Sequence, residues 1–304
     1  MSEVTPTLHR KSYDAISASS PSQSQSERNV LITGSSDGIG KEVARAYVTA
    51  GAKTVVITSR SQEKADRTVA ELQQDAKEGT KVVGYQFELN EEKSVQALWD
   101  NLHNASIGID VLVLCATESL PGVQIFTPSI LKSFSAFESN VKHQLLSVDR
   151  FLKQGADEGK VLLNFSSNAV HFNELDPTFA PSTASRLALA RLLQDYSAYN
   201  PVEKLQILNI HPGFVYTDTV GRHGMSRDMF PFDDISLPAN FLVWAATKQA
   251  AFLHGRFVWT TWDVEELAAL KPKIEEDKGF LKVGLQGVKS QDFPLLIAGM
   301  QRAV

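Results

Sequence analysis

The sequence predicts an α/β fold, a doubly wound parallel sheet of about seven strands with helices on both faces. Short apolar runs alternate with helical stretches from residue 29 to about residue 260. The first apolar run enters a glycine-rich turn that opens a helix. With 304 residues, 43% of them hydrophobic, the chain can bury one large core.

The predicted strands are apolar segments bounded by turn residues. In chain order they are Asn29 to Ile32, Thr54 to Thr58, Lys81 to Phe87, Asp110 to Val113, Lys160 to Phe165, Leu205 to Ile210 and Arg256 to Thr260. Helical patterns cover Lys41 to Ala50, the stretches around Asn140 and Ser182, Phe241 to Thr247, and a segment capped by Asp263.

This pattern divides the chain into three parts. Residues 1–27 are rich in serine and poor in apolar residues, so we expect a flexible tail. Residues 28–262 form the dinucleotide-binding type of domain, and residues 263–304 form a helical extension of it.

The turn that follows the first strand is typical of a pyrophosphate-binding site. Gly34 permits a tight turn, Gly38 lets a pyrophosphate approach the backbone, and Gly40 lets helix and strand pack closely. The free N–H groups at the helix start bind phosphate oxygens. The predicted contact residues of this Rossmann-like turn are Gly34, Ser36, Asp37, Gly38, Ile39 and Gly40.

The end of the second strand indicates which dinucleotide is bound. NAD-binding chains usually have a carboxylate roughly 20 positions beyond the glycines, where it binds the ribose 2′-OH. This chain has Ser59 and Arg60 there. A guanidinium binds a 2′-phosphate through charge-assisted bonds, so we expect NADP(H) as cofactor.

The Thr-Gly-x-x-x-Gly-Ile-Gly spacing of Thr33 to Gly40 resembles that of the short-chain dehydrogenase/reductase family. Further segments match in order, and the resemblance implies their roles. The implied cofactor contacts are Glu88, Leu89, Pro212, Gly213, Val215 and Thr217. Ala116 is a further predicted contact, although its segment, Leu114 to Thr117, departs from the family's Asn-Asn-Ala-Gly. Asn140 corresponds to the family's proton-relay asparagine and Ser167 to its catalytic serine.

Two residues depart from the family's Tyr-x-x-x-Lys motif, because Ser182 and Arg186 stand in those positions. In the family the tyrosine protonates the developing alkoxide, and the lysine lowers the tyrosine pKa and binds the nicotinamide ribose. A serine hydroxyl is a far weaker acid than a phenol, and acid catalysis contributes about 10²–10⁴ in rate. We therefore expect an altered acid/base centre, with Arg186 still contacting the cofactor.

Other side chains of the predicted pocket loops could supply a proton. Tyr216 is a phenol in the segment expected near the nicotinamide, although simple packing is the favoured role for it. His171 could titrate near neutral pH. The remaining candidates are Glu118, Glu174, Asp176 and His223.

Two functions follow from this sequence. One is an NADP(H)-dependent oxidoreductase that reduces a carbonyl or imine of a small organic molecule. The alternative is a non-redox catalyst on the same fold, such as a cyclase, isomerase or dehydratase, with a structural or absent cofactor. The carboxyl-terminal part resembles fungal small-molecule reductases of the family, which implies secondary metabolism.

Composition argues against other classes. No metal-ligand motif is present, and a net charge of −5 does not favour nucleic-acid binding. No apolar run reaches the ~20 residues of a membrane span, and no secretion signal or paired cysteines are seen, so we expect a cytoplasmic protein. The resemblance makes a homodimer possible.

Overall fold

A seven-stranded parallel sheet forms the centre of the molecule, in the order β3-β2-β1-β4-β5-β6-β7. We describe a computed structural model for residues 4–118, 130–155, 158–172, 179–222 and 224–284. The strands are β1 (Asn29–Ile32), β2 (Thr54–Ser59), β3 (Lys81–Gln86), β4 (Val111–Leu114), β5 (Lys160–Phe165), β6 (Leu205–His211) and β7 (Arg256–Trp259). The predicted fold class is confirmed.

Ten α-helices in the described residues cover the sheet. They are α1 (Gly38–Thr49), α2 (Gln62–Gln74), α3 (Glu92–Asn104), α4 (Ile130–Phe137), α5 (Gln144–Leu152), α6 (Ala180–Ser197), α7 (Asp218–Arg222), α8 (Ser236–Ala245), α9 (Val264–Ala269) and α10 (Lys271–Glu276). A π-helical segment, Glu138–His143, joins α4 to α5. None of the described helices combines the length and the apolar character that crossing a membrane requires.

The two faces of the sheet bury separate apolar clusters. One face packs against α1 and α8 through side chains such as Val43 and Phe241. The other packs against α3, α5 and α6 through Trp99, Phe151 and Leu189. Helices on both faces explain why β2, β4 and β6 are buried along their whole length.

Helix boundaries differ from the predicted ones where capping decides them. α1 begins at Gly38, before the predicted Lys41, because the Asp37 carboxylate accepts the Gly38 N–H at 2.8 Å. α8 begins at Ser236, five residues before the predicted Phe241. The predicted cap at Asp263 is confirmed, since its carboxylate accepts the N–H groups of Glu265 and Glu266 at 2.9 Å.

The prediction of a flexible amino-terminal tail is wrong for residues 4–27. Ile16 is fully buried against the core cluster that contains α8 and α9. Thr7 donates to the Glu266 carboxylate at 2.7 Å, and Leu8 forms an antiparallel bridge with Trp262. A few buried apolar side chains are therefore enough to pack this polar segment against the domain. Of the predicted extension 263–304, residues 285–304 lie outside the described residues.

Candidate active site

An open cleft of about 1440 Å³ lies where the strands end at their carboxyl edge. This is the edge at which doubly wound sheets bind ligands. The volume exceeds the roughly 300–1,000 Å³ of a typical small-molecule site, so it can hold a dinucleotide and a second molecule. Predicted residues that line it are Gly34, Ser36, Asp37, Gly38, Ile39, Gly40, Ser59, Arg60, Glu88, Leu89, Ala116, Arg186, Pro212, Tyr216 and Thr217.

The glycine-rich turn leaves room for a phosphate group because its glycines carry no side chains. At Gly34 and Gly40 the surrounding backbone also leaves no space for a Cβ. A Cβ on Gly40 would lie 2.3 Å from the Gly34 carbonyl oxygen, and one on Gly34 would lie 3.0 Å from Ala116 Cα. Gly34 and Gly38 also have positive φ angles, +67° and +51°. The first-turn N–H groups of Ile39 and Gly40 have no intrahelical acceptor. Both residues line this cleft. The turn therefore fits a dinucleotide pyrophosphate.

One carboxylate stands at this helix start, and a lysine offsets its charge. Lys64 Nζ donates to the Asp37 carboxylate at 2.8 Å. This bond, more than any other contact, holds the Asp37 pKa below its ordinary value. The positive charge of Lys64 therefore reduces the repulsion between the Asp37 carboxylate and a bound phosphate.

Hydroxyls and cations form the end of the cleft beside β2. Ser36 donates to Ser59 at 2.9 Å, so both hydroxyls face the same point. Arg60 is exposed, and Ser61 and Lys64 line the cleft next to it. These two cations are the groups that a 2′-phosphate requires. Sequence reasoning missed Lys64, because its position one turn into α2 shows no motif.

Asn140 joins the loop after β4 to the helices below it. The Asn140 amide oxygen accepts the Glu118 N–H at 2.8 Å, and its amide nitrogen donates to the Glu118 carbonyl at 2.9 Å and to Ser185 Oγ at 3.1 Å. Asn140 is buried and does not line the cleft. Glu118 does line it, and accepts a 2.6 Å bond from Ser139.

Arg186 lies on α6 and lines the cleft opposite the sheet. No hydrogen bond or ion pair of this guanidinium is formed within residues 4–118, 130–155, 158–172, 179–222 and 224–284. Partial burial lowers the Arg186 pKa, although the guanidinium stays charged. Burial raises the pKa of the neighbouring Cys115 thiol to about 12, against the opposing effect of Arg186. Cys115 is therefore neutral and unreactive at neutral pH.

Ser166, rather than the predicted Ser167, lines the cleft. The Ser166 side chain is 1% exposed, and its hydroxyl has no hydrogen-bond partner among the described residues. Ser167 instead accepts the Ala169 N–H at 3.2 Å and caps the short helical turn Asn168–His171. Adjacent residues of a strand face opposite sides, which explains the difference.

The segment after β6 forms one wall of the cleft through Pro212, Tyr216 and Thr217. The predicted contacts Gly213 and Val215 do not line it. A Cβ on Gly213 would lie 2.7 Å from an Asp233 carboxylate oxygen, and Val215 bridges to Asp233. Both residues therefore lie against Asp233, behind the wall.

Both the ring and the hydroxyl of Tyr216 are in contact with neighbouring residues. Its ring packs edge-on against Phe232 at 5.3 Å, and the Arg227 guanidinium lies 4.4 Å from the ring centre. A Cβ on Gly221 would lie 2.6 Å from the Tyr216 hydroxyl, which therefore contacts α7.

Two further predicted candidates lie away from the cleft. Ser182 is in the first turn of α6, where its carbonyl accepts the Ser185 hydroxyl at 3.1 Å. His171 packs edge-on against Phe257 at 4.6 Å, and burial lowers its pKa. Neither residue lines the cleft. Glu174, Asp176 and His223 lie outside the described residues.

Comparisons with known proteins agree with this architecture. The family model described as short chain dehydrogenase matches residues 28–227. The chain is 30% identical over 282 residues to the short chain dehydrogenase/reductase AacuD of Aspergillus aculeatus, covering 92% of this chain and 96% of the relative. It is 30% identical over 289 residues to the short chain dehydrogenase/reductase nsrO of Aspergillus novofumigatus, covering 92% and 96%.

Solved structures show the same fold. The angucycline C-6 ketoreductase LanV with bound NADP superposes with a TM-score of 0.67 at 20% identity, covering 78% of this chain and 95% of that one. Pseudomonas aeruginosa RhlG in its NADP active-site complex superposes with a TM-score of 0.70 at 20% identity, covering 79% and 97%. The family model, the fungal relatives and the glycine-turn cleft together place this chain in the short-chain dehydrogenase/reductase family of oxidoreductases.

Proposed function

We propose that this protein is an NADP(H)-dependent oxidoreductase that reduces a carbonyl or imine group of a small organic molecule, using an altered acid/base centre. The observation that carries the proposal is the single cleft that joins the glycine turn to Arg186. The family to which the chain belongs supports nicotinamide cofactor binding. When bound, the reduced nicotinamide supplies a hydride.

The adenosine end of the cleft supports NADP(H) over NAD(H). Ser59 occupies the end of β2 with its hydroxyl bonded to Ser36. Arg60 supplies a positive charge beside them, and Lys64 lines the same part of the cleft while paired with Asp37. A ribose 2′-OH is best bound by a carboxylate at this strand end, whereas a 2′-phosphate is best bound by cations and hydroxyls. Asp37 is engaged by Lys64, which supports the same preference.

The other end of the cleft supports an altered acid/base centre. The phenol on α6, Tyr196, stands near the carboxyl end of that helix and does not line the cleft. The Tyr216 hydroxyl contacts α7. Ser182, in the position implied for the family's acid, does not reach the cleft. The substrate or solvent then supplies the proton that follows hydride addition, and a cationic imine needs no proton at all.

A panel experiment tests this function. The full chain is incubated with NADPH and with matched ketones, conjugated ketones and cyclic imines, and the loss of NADPH absorbance is followed. We expect consumption with at least one conjugated carbonyl or imine class. Saturable NADPH binding without consumption across the panel contradicts the redox proposal and favours the non-redox alternative. NADH consumed as well as NADPH contradicts the cofactor preference.

A further inference from the structure

Ser166 and Arg186 line the reacting end of the cleft. The buried His211 lies behind them on the neighbouring strand, with its ring edge-on against Phe214 and Trp259. β5 and β6 pair in parallel with Phe165 opposite Ile210, and Ser166 N–H continues the ladder to the Ile210 carbonyl at 2.8 Å. Ser166 and His211 are each one residue further along, so their side chains point to the same face of the sheet.

Arg186 lies above this pair on the helix that covers that face. Asn209 donates to the Ala190 carbonyl at 3.1 Å, which fixes α6 over β6. Arg186 is four residues before Ala190, about 6 Å along a helix that runs back across the strands. His211 is two residues beyond Asn209, about 6.6 Å along the strand in the same direction. Arg186 is therefore placed over His211 and Ser166.

This group of residues lacks partners within the described part of the chain. Ser166 Oγ and His211 Nδ1 are buried without a hydrogen bond, and Arg186 has neither a hydrogen bond nor a counter-ion there. The side chains of Ser166 and His211 are 1% and 5% exposed. Buried polar groups without partners are costly, so a ligand that pairs with them gains affinity.

We propose that Arg186, Ser166 and His211 form a pocket for a negatively charged substrate oxygen, and that the substrate is a conjugated carbonyl compound such as an enone or quinone. This inference rests on the proposed reductase function. The guanidinium and the serine hydroxyl donate to the oxygen, and the imidazole Nδ1 donates in its Nδ1–H tautomer. Because burial lowers the His211 pKa to about 3, the imidazole is neutral and leaves Arg186 as the cation of the pocket.

Without a general acid among the described residues of the cleft, the enzyme favours substrates whose reduction leaves a weakly basic oxygen anion. Hydride addition to a simple ketone leaves a strongly basic alkoxide, which needs a proton in the same step. Hydride addition to the β-carbon of a conjugated carbonyl breaks the carbon–carbon π bond and moves its electron pair onto the carbonyl oxygen. The resulting enolate or phenolate is far less basic, near the ~10 of a phenol. Fixed donors can stabilise this charge until water protonates the product.

An arginine suits this pocket better than the lysine that the family has. Its five N–H donors allow one edge to contact the nicotinamide ribose while the other contacts the substrate oxygen. A lysine supplies a single point charge and is committed to the ribose. The pocket therefore accounts for Arg186 and for the two partnerless groups beneath it.

Binding of 4-nitrophenol tests the pocket without any turnover. Its phenolate absorbs visible light, so the spectrum at a pH about one unit below its own pKa reports how much of the bound probe is ionised. The full chain should bind it as phenolate. Arg186→Gln should weaken phenolate binding at least tenfold and Ser166→Ala about threefold, whereas Arg186→Lys should retain part of it. The control is Arg191→Gln, on the exposed side of the same helix and paired with Asp195, which should change nothing.

The possible outcomes separate the alternatives. Binding of the neutral phenol, or phenolate binding that survives Arg186→Gln, overturns the pocket. Phenolate at the phosphate-binding turn would survive Arg186→Gln but disappear with Gly40→Ala, which also overturns it. If Arg186→Gln fails to fold, as judged by circular dichroism, Ser166→Ala and Arg186→Lys decide the outcome.

A second arm separates this inference from the proposed function. NADPH consumption is compared for 2-cyclohexenone, 1,4-naphthoquinone and cyclohexanone. The inference predicts consumption with a conjugated compound at least a hundredfold faster than with cyclohexanone. Arg186-dependent phenolate binding without NADPH consumption supports the pocket but refutes the reductase. Equal consumption of cyclohexanone, with phenolate binding unaffected by Arg186→Gln, supports the reductase but refutes the pocket.

Discussion

Arg10 forms an ion pair with Asp233, with 3.0 Å between the guanidinium Nε and the carboxylate. The other Asp233 oxygen accepts the Phe214 N–H at 2.8 Å, and the Asp233 N–H donates to the Phe214 carbonyl at 2.6 Å. Phe214 precedes Tyr216 and Thr217, which line the cleft. The amino-terminal segment is thereby linked to the wall of the candidate active site.

We predict that Arg10→Ala loosens this wall. Asp233 is buried, with a 5% exposed side chain, and would lose its charged partner. The Phe214 amide should exchange with deuterium at least fivefold faster, and NADPH affinity should fall by about threefold. Lys11→Ala is the control, because Lys11 is adjacent but does not contact Asp233. Unchanged deuterium exchange at the Phe214 amide would show that the amino-terminal segment does not stabilise the cleft wall.

We predict that Gly40→Ala abolishes nucleotide binding. The new methyl group would overlap the Gly34 carbonyl oxygen at 2.3 Å, so the turn and α1 must separate. NADPH fluorescence titration should show an affinity at least tenfold weaker. Gly284→Ala is a matched control, since no atom of the residues that the structure describes lies within 4 Å of its Cβ. Wild-type affinity in Gly40→Ala would mean that the nucleotide binds elsewhere.

Cofactor preference should reverse with Ser59→Asp combined with Arg60→Ala. The carboxylate would stand beside Ser36, where it accepts a ribose hydroxyl and repels a 2′-phosphate. The ratio of NADPH to NADH affinity should fall at least tenfold. Arg67→Ala removes an exposed cation of the helix that follows, α2, and should leave the ratio unchanged. A ratio that survives the double substitution would place the 2′-phosphate away from β2.

Stability should fall in mild acid because His211 is buried in its neutral form. The folded-state pKa of His211 is lowered to about 3, whereas an unfolded histidine binds a proton below about 6.5. The unfolded chain therefore gains a proton first, and stability is lost as pH falls from about 6.5 towards 3. At pH 5 the loss is about 2 kcal/mol relative to pH 7.

Urea unfolding at pH 7 and pH 5 checks this prediction. His211→Phe should remove about 2 kcal/mol of the difference between the two pH values. The same substitution at His103, exposed at the end of α3, should keep the wild-type difference. An unaltered pH dependence in His211→Phe would contradict the burial of a neutral imidazole.

Much of the fold could be predicted from the sequence. β1 and β5 match their predicted boundaries because each is an apolar run between turn residues. The amino-terminal segment could not be predicted, since Ile16 stands among serines and its partners on α8 and α9 are more than 200 positions away. Long-range burial of a single side chain leaves no periodic pattern.

The candidate site was predictable at its cofactor end and less so at its reacting end. Glycine spacing and the end of β2 carry local signals, so Gly34, Gly40 and Arg60 were found. The choice between Ser166 and Ser167 depends on which face of the sheet each serine joins after β5 ends. His211 carried no signal, because tertiary packing is what leaves its Nδ1 without a hydrogen bond among the described residues.

We predict that Ser182→Tyr combined with Arg186→Lys introduces reduction of simple ketones. Ser182 lies in the first turn of α6, four residues before Arg186, so a phenol there would stand on the same side of the helix as that position. A nearby ammonium lowers a phenol pKa, as a general acid requires. NADPH consumption with cyclohexanone should rise at least tenfold above the parent chain. No gain, with NADPH binding intact, would mean that the pocket has been rebuilt beyond these two positions.

We propose that NADP(H) binds in the cleft between the glycine turn and Arg186. Titration of the full chain with NADPH and with NADH, followed by nucleotide fluorescence, tests it most directly. We expect saturable binding of one NADPH per chain, at least tenfold tighter than NADH. Absence of saturable NADPH binding, or tighter binding of NADH, would contradict the claim.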